Sequence, residues 1–213
     1  MELWTMRVPE PGTVVAQAEA AEHAGWDGIT FTDSQNLIGD PFVAVALAAN
    51  ATERLRFATG VTNAFTRHPA ALANVAVTVQ ETSGGRFVLG IGRGDTALFH
   101  LGRKPEPVEQ FAAAVTDLQA YLANETLDCN GRPSRLLFLD RCRQPKVPLD
   151  VAVSGPRIIA LGDAAGELDH AWARHRDVER NLGLPAPSQE LQPARVAVGV
   201  DRFAREVRLQ VGD

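Results

Sequence analysis

SGGRFVLGIGRGD, residues 83–95, sets Gly90, Gly92 and Gly94 behind a short apolar run, and the reading of those glycines decides the fold. A dinucleotide-binding turn has the spacing G-x-G-x-x-G and opens a helix whose N-terminus holds a pyrophosphate. Here the third glycine comes one place too early, and the next helix is expected about a dozen residues later, after TALFHLGRKPEP (96–107). The other reading is a strand end whose glycines let backbone approach a flat ligand closely, or which simply turn the chain.

Three further stretches end in the same way. GITFTDS (28–34) is apolar until Asp33 and Ser34, LRFATGVTN (55–63) until Thr62 and Asn63, and VPLDVAVSGP (147–156) until Ser154 and Gly155, while ELWTMRV (2–8) precedes them all. The first four begin about 25 to 32 residues apart, the period of a strand-plus-helix unit. Helices fill the intervals and start on recognisable signals. An Ala-rich run from Thr13 stops at Gly25, Asp40-Pro41 and His68-Pro69 are cap and first-turn pairs, and Gly84-Gly85 closes the third helix. In PVEQFAAAVTDLQAYL (107–122), Phe111, Val115, Leu118 and Leu122 share one face, so this helix packs. The expected class is α/β with parallel strands. In a parallel barrel all the C-terminal strand ends gather on one face, where such folds build their sites.

Composition narrows the function. With 213 residues, 45% apolar and 22% charged, the chain buries a sizeable core, and a net charge of −5 with scattered Lys and Arg argues against a nucleic-acid footprint or a basic membrane-binding face. No apolar run approaches the ~20 residues of a membrane span, and MELWTMRVPE lacks signal-peptide character, so a cytoplasmic protein acting on a small-molecule substrate is expected. Cys129 and Cys142 show no C-x-x-C spacing, and His170 and His175 lie five apart rather than four, so no metal site is expected. Arg67-His68 is either part of a pocket or only a helix start.

The series AEHAGWDGITFTDSQN (21–36), LRFATGVTNAFTRHPAALA (55–73), SGGRFVLGIGRGD and VAVSGP (151–156) resembles the bacterial-luciferase-like superfamily of flavin- and deazaflavin-dependent oxidoreductases, over roughly residues 1–168. The resemblance implies a TIM barrel. It implies a non-prolyl cis peptide at Gly60–Val61 behind the cofactor ring, a phosphate-receiving turn at Ser154 and Gly155, and a strand end at Gly92, Gly94 and Asp95 beneath the ring. Asp33 and Asn63 are further cofactor-binding candidates, and Asp95 and Ser34 are the catalytic candidates. Ser34 stands where deazaflavin-dependent members commonly have histidine, so a His/Glu proton-handling pair carries over at only one of its two positions. If the cofactor is a deazaflavin with an acidic tail, Arg103 and Lys104 are candidate tail contacts.

The implied cofactor is FMN or the deazaflavin coenzyme F-420. The implied activity is monooxygenation with reduced FMN, or hydride transfer of the methylenetetrahydromethanopterin-reductase type. A non-catalytic flavin-binding or dimerisation remnant and a non-flavin barrel enzyme are the alternatives. The chain is shorter than the ~250 residues of a full barrel, so an incomplete luciferase-like barrel of about six or seven parallel strands is expected. A core over 1–168 would be followed by a divergent, shortened segment over 169–213, with ELDHAWARHRDVERNLGL (167–184) helical and ARVAVGVD (194–201) a late strand candidate. The exposed edges of such a barrel suggest a homodimer.

Overall fold

The computed structural model of the chain describes residues 2–153 and 170–173. Strands β1 (Trp4–Arg7), β2 (Gly28–Phe31), β3 (Arg56–Thr59) and β4 (Phe87–Ile91) alternate with helices α1 (Val14–His23), α2 (Pro41–Ala51) and α3 (Pro69–Thr82). After β4 come a short α4 (Asp95–Phe99), α5 (Val108–Leu122), a small antiparallel hairpin of β5 (Leu127–Asp128) and β6 (Pro133–Ser134), and then β7 (Leu149–Val153) and β8 (His170–Ala173). The main sheet runs β1-β2-β3-β4-β7-β8 with every pairing parallel. Among the described residues it has six strands and two open edges, β1 and β8.

Period-2 alternation sorts the strand residues into two faces. Ile29, Phe31, Phe57, Phe87, Leu89, Ile91, Leu149 and Val151 belong to the apolar cluster shared with the helices, which contribute Ala18, Val45, Leu72, Val77, Phe111 and Leu118 among others. The opposite face carries small or polar residues, including Thr30, Ala58, Gly60, Gly90, Gly92 and Asp150, as the narrowing interior of a barrel requires. The helices begin where their caps place them. Asp40 Oδ1 accepts from the N–H groups of Phe42 (2.9 Å) and Val43 (3.2 Å), and His68 Nδ1 accepts from Ala70 N–H at 3.2 Å.

Two expectations need correction. A helix, α4, starts at Asp95 itself, because Gly94 adopts φ +78 and reverses the chain so that Leu98 N–H reaches Gly94 O at 2.9 Å. Within the charged stretch read as helical, His170–Ala173 forms β8 instead. The edge of β7 offers backbone partners from Asp150↔His170 to Val153↔Ala173, and ladder pairing overrides local helical bias. Ser154, Gly155 and ARVAVGVD lie outside the described residues. No helix among the described residues is long and apolar enough to cross a membrane, and no group of three or more His, Cys, Asp or Glu among them is placed to hold a metal.

Below the sheet, at the N-terminal ends of the strands, charged side chains tie helix ends to the loops that follow. Arg86 donates to the carbonyls of Ala49 (2.7 Å), Leu55 (2.9 Å) and Ser83 (2.8 Å), and its guanidinium lies 5.2 Å over the Phe57 ring. At the end of α1, the Glu22 carboxylate accepts from the backbone N–H groups of Glu53, Arg54 and Leu55, the two shortest bonds being 2.6 and 2.8 Å. Burial pushes the Glu22 pKa up, but the three N–H donors and the nearby Arg54 outweigh it and hold the group below its ordinary value. Its folded pKa is therefore depressed, and the stability it contributes is present above the unfolded-chain value and lost as pH falls through the folded one. Glu22→Gln is expected to cost about 1 kcal/mol at neutral pH, and to flatten the acid limb of stability against pH. Urea melts of both proteins from neutral to acidic pH measure this.

Candidate cofactor site

The ends of β2, β3 and β4 are drawn together by one irregularity in the β3–β4 ladder. Ala58 pairs with Val88 and Thr62 bridges to Ile91. Four steps along β3 thus oppose three along β4, a bulge of one extra residue. The bulge contains the peptide joining Gly60 to Val61, which is cis, as the resemblance implies. The extra residue changes which way later side chains face. Thr62 is aligned with outward-facing Ile91 instead of sharing the inward face of Ala58, and its main chain is held on both sides, N–H to Gly90 O (2.9 Å) and C=O to Gly92 N–H (2.8 Å).

Thr62 is fully buried, and its Oγ1 donates to Asp33 Oδ2 at 2.6 Å. Gln35 Nε2 donates to Asp33 Oδ1 at 2.8 Å and also reaches Thr66 Oγ1 at 3.3 Å. Asp33 is 7% exposed. Burial pushes its pKa above the ordinary aspartate value and Asp40 adds to this. The Thr62 and Gln35 hydrogen bonds and the charge of Arg67 pull the other way without cancelling it. Arg67 pairs with Asp40 and lies 5.0 Å over the Phe42 ring, so it locks the start of α2 to the loop before α3. Of the two readings of Arg67-His68, the helix start is what the structure shows: His68 caps α3, and Arg67 is engaged by Asp40 and the Phe42 ring.

Asn63 is 1% exposed, and its Oδ1 accepts from Phe65 N–H (3.0 Å), Thr66 N–H (2.9 Å) and Thr66 Oγ1 (3.1 Å). This fixes the side-chain amide and leaves Nδ2 buried with no hydrogen-bond partner, a donor whose desolvation is uncompensated within the protein. Ser34 is buried and its carbonyl accepts from the N–H groups of Leu37 and Ile38, which turns the chain away from β2. Asn36 Nδ2 ties that turn to His100 O at 2.9 Å. Just after β4, Arg93 Nε donates to Glu106 O at 2.7 Å. The buried Glu106 carboxylate accepts from Arg103 at 2.9 Å, so Arg103 is engaged on the protein itself, and Lys104 is exposed.

The glycines serve packing first. A Cβ on Gly90 would stand 2.1 Å from Thr59 O, one on Gly92 2.7 Å from Val61 Cγ2, one on Gly60 2.9 Å from Thr30 Cβ, and one on Gly94 3.2 Å from Asn63 Cβ. Protein atoms already claim each space, and what these residues can offer a ligand is backbone. Asp33, Ser34, Gly60, Val61, Asn63, Gly92, Gly94 and Asp95 thus stand on three adjacent strand ends, linked through the Asp33–Thr62 bond, the Val61–Gly92 contact and the Asn63–Gly94 contact. Sequence reading counted Gly90 in the glycine run without its packing role against β3, and passed over Gln35 and the role of Thr62. Gly90 carried a signal in being the first glycine of its run, whereas Gln35 and Thr62 carried none.

Residues 3–183 match the family model for luciferase-like monooxygenases. The chain is 30% identical over 158 residues to the 5,10-methylenetetrahydromethanopterin reductase of Methanolobus tindarius, covering 71% of this chain and 46% of that one. It is also 30% identical over 182 residues to the F420-dependent hydroxymycolic acid dehydrogenase of Mycobacterium tuberculosis, covering 78% and 49%. The solved coenzyme F420 dependent tetrahydromethanopterin reductase from Methanopyrus kandleri superposes with a TM-score of 0.62 at 20% identity, covering 81% and 55%, a likeness of fold. The chain spans about half the length of these relatives.

Gly90→Ala is expected to abolish the native state or to cost more than about 4 kcal/mol, because backbone cannot retreat from a 2.1 Å approach. Gly84→Ala, at φ +66 with nothing within 4 Å, is expected to cost only about 1 kcal/mol. Denaturant melts of the two variants side by side measure the difference.

Proposed function

The chain belongs to the luciferase-like monooxygenase family, and from that premise we propose that it is an oxidoreductase whose strand-end face binds the deazaflavin coenzyme F-420. FMN is the second reading. The observation that carries the proposal is the buried, unpartnered Nδ2 of Asn63 beside the bulge at Gly60–Val61. A flavin-type ring carries carbonyl acceptors on its pyrimidine edge, and such an acceptor satisfies the orphaned donor. The preference for the deazaflavin rests on the F420-dependent relative, which is 30% identical over 78% of this chain.

When bound, the reduced cofactor supplies the electrons, as hydride transfer from the deazaflavin or oxygen activation with FMN. The chain's own part is to bind, orient and handle protons. Backbone at Gly60, Val61, Gly92 and Gly94 would hold the ring, Asn63 would donate to its edge, and Asp33, bonded to Gln35, fixes the turn that follows β2. Ser154 and Gly155 would receive the phosphate, as the family resemblance implies. Asp95, at the start of α4, is the acid or base toward a small-molecule substrate, with Ser34 as a neutral hydroxyl in the place of the family's histidine. Titration of the purified chain with F-420 and with FMN, followed by the cofactor's absorbance and fluorescence, is expected to give micromolar binding of the deazaflavin. Tighter binding of FMN moves the assignment to the monooxygenase branch. Binding of neither removes the reading, and binding of the reduced cofactor without its oxidation by any acceptor favours a non-catalytic remnant.

A second copy of the chain is the proposed partner, in the cytoplasm. α2 has no charged residue, and α3 has none before Glu81, while Val43 and Leu47 of α2 are 59% and 50% exposed. An uncharged apolar face of this kind is self-complementary across a two-fold axis. Light scattering is expected to give a dimer that Leu47→Glu converts to a folded monomer. A wild-type monomer would contradict this.

A further inference from the structure

Asp33 has two hydrogen-bond partners at its carboxyl oxygens, and they are not equivalent. Gln35 meets Oδ1 with an amide N–H, which only donates. Thr62 meets Oδ2 with a hydroxyl, which donates to a carboxylate and turns a lone pair toward a carboxylic acid. A proton placed on Oδ1 would point at another N–H, whereas one placed on Oδ2 finds an acceptor after a rotation about a single bond. The hydroxyl has a fixed base from which to do this, since the Thr62 main chain is clamped between Gly90 O and Gly92 N–H and its side chain has no room to leave.

We propose that Thr62 is the positioning residue for Asp33: it holds the carboxyl group at the end of β2, directs its proton to Oδ2, and sets how readily that proton is bound. The charged groups facing Asp33 are Arg67, from the loop before α3, and Asp40, at the start of α2, and they act in opposite senses. They also pair with each other. The two hydrogen bonds are therefore the close influences that favour the ionised form against burial, and the Thr62 bond is the shorter of the two. The functional meaning of this arrangement rests on the strand-end face being the cofactor site. The titration itself is a property of the cofactor-free chain.

The test uses the full chain without cofactor, with the Asp33 carboxyl carbon followed by NMR against pH and assigned with Asp33→Asn. Thr62→Val replaces the hydroxyl with a methyl group of similar volume. It is expected to raise the Asp33 midpoint so that the group binds its proton at least about threefold more tightly, while Thr62→Ser titrates like the wild type. If Thr62→Val gives a poorly dispersed spectrum, Thr62→Ala removes the same hydroxyl and carries the same expectation against Thr62→Ser. An unshifted midpoint in a folded hydroxyl-free variant overturns the proposal, and so does a Thr62→Ser protein that moves as far as the hydroxyl-free one. Cofactor affinity measured on the same samples separates the two ideas. A shifted midpoint in a chain that binds neither F-420 nor FMN leaves the role of Thr62 standing and removes the cofactor reading.

Discussion

The contact between β3 and β4 at Thr59 and Gly90 is the constraint on which the rest depends. Thr59 Oγ1 donates to Gly90 O at 2.7 Å and accepts from Gly90 N–H at 2.9 Å, so a side chain stands in for ladder bonds where the two strands fall out of step. That substitution works only because residue 90 has no side chain to hold the strands apart. One extra residue is thereby taken up in β3, and the ladder resumes at Thr62 with the opposite face turned outward. Without it, Thr62 would share the inward face of Ala58, and its hydroxyl would not reach Asp33.

The two ends of the sheet treat carboxylates in opposite ways, for one physical reason. At the lower end Glu22 and Glu81 each receive backbone N–H groups from a following loop, and both are held below their ordinary values despite the opposing push of burial. At the upper end Asp33 is far more enclosed and receives one hydroxyl and one amide from side chains, and burial prevails. Several backbone donors in partly open surroundings make a structural clamp, and fewer donors in an enclosed one leave a group able to take up a proton. This division matches the general habit of parallel α/β barrels, in which one end of the strands serves stability and the other chemistry.

Placement of the family's functional positions follows from the same geometry. Ser34 lies in the turn after β2, where the family resemblance implies a histidine, beside the buried Asp33, and Asp95 stands at the start of α4; the proposed reading gives the proton chemistry to these two carboxyl groups. The orphaned donor of Asn63 and the outward face of Thr62 come from the same five-residue stretch, 59–63, which joins the cis peptide to the β2 turn. A short bulge thus supplies both a group free to bind and a group that holds another in place.

Much of this was legible in the chain of residues alone. The caps Asp40 and His68, the stops at Gly25 and Gly84, the strand period and the apolar face of α5 are local signals, carried by side chains within a few positions of the backbone they act on. Together they determined the parallel α/β class and the strand ends on which Asp33, Asn63 and Asp95 stand. The tertiary structure decided the rest. It turned His170–Ala173 into a strand because β7 had an unpaired edge, and it started α4 at Asp95 through the left-handed turn at Gly94. It joined Thr62 to Asp33 across 29 positions of sequence and gave Gly90 a packing role against a strand 31 residues away. Such partners leave no mark in sequence spacing, because a hydrogen bond between neighbouring strands depends on register, and a bulge shifts register without changing the composition of either strand.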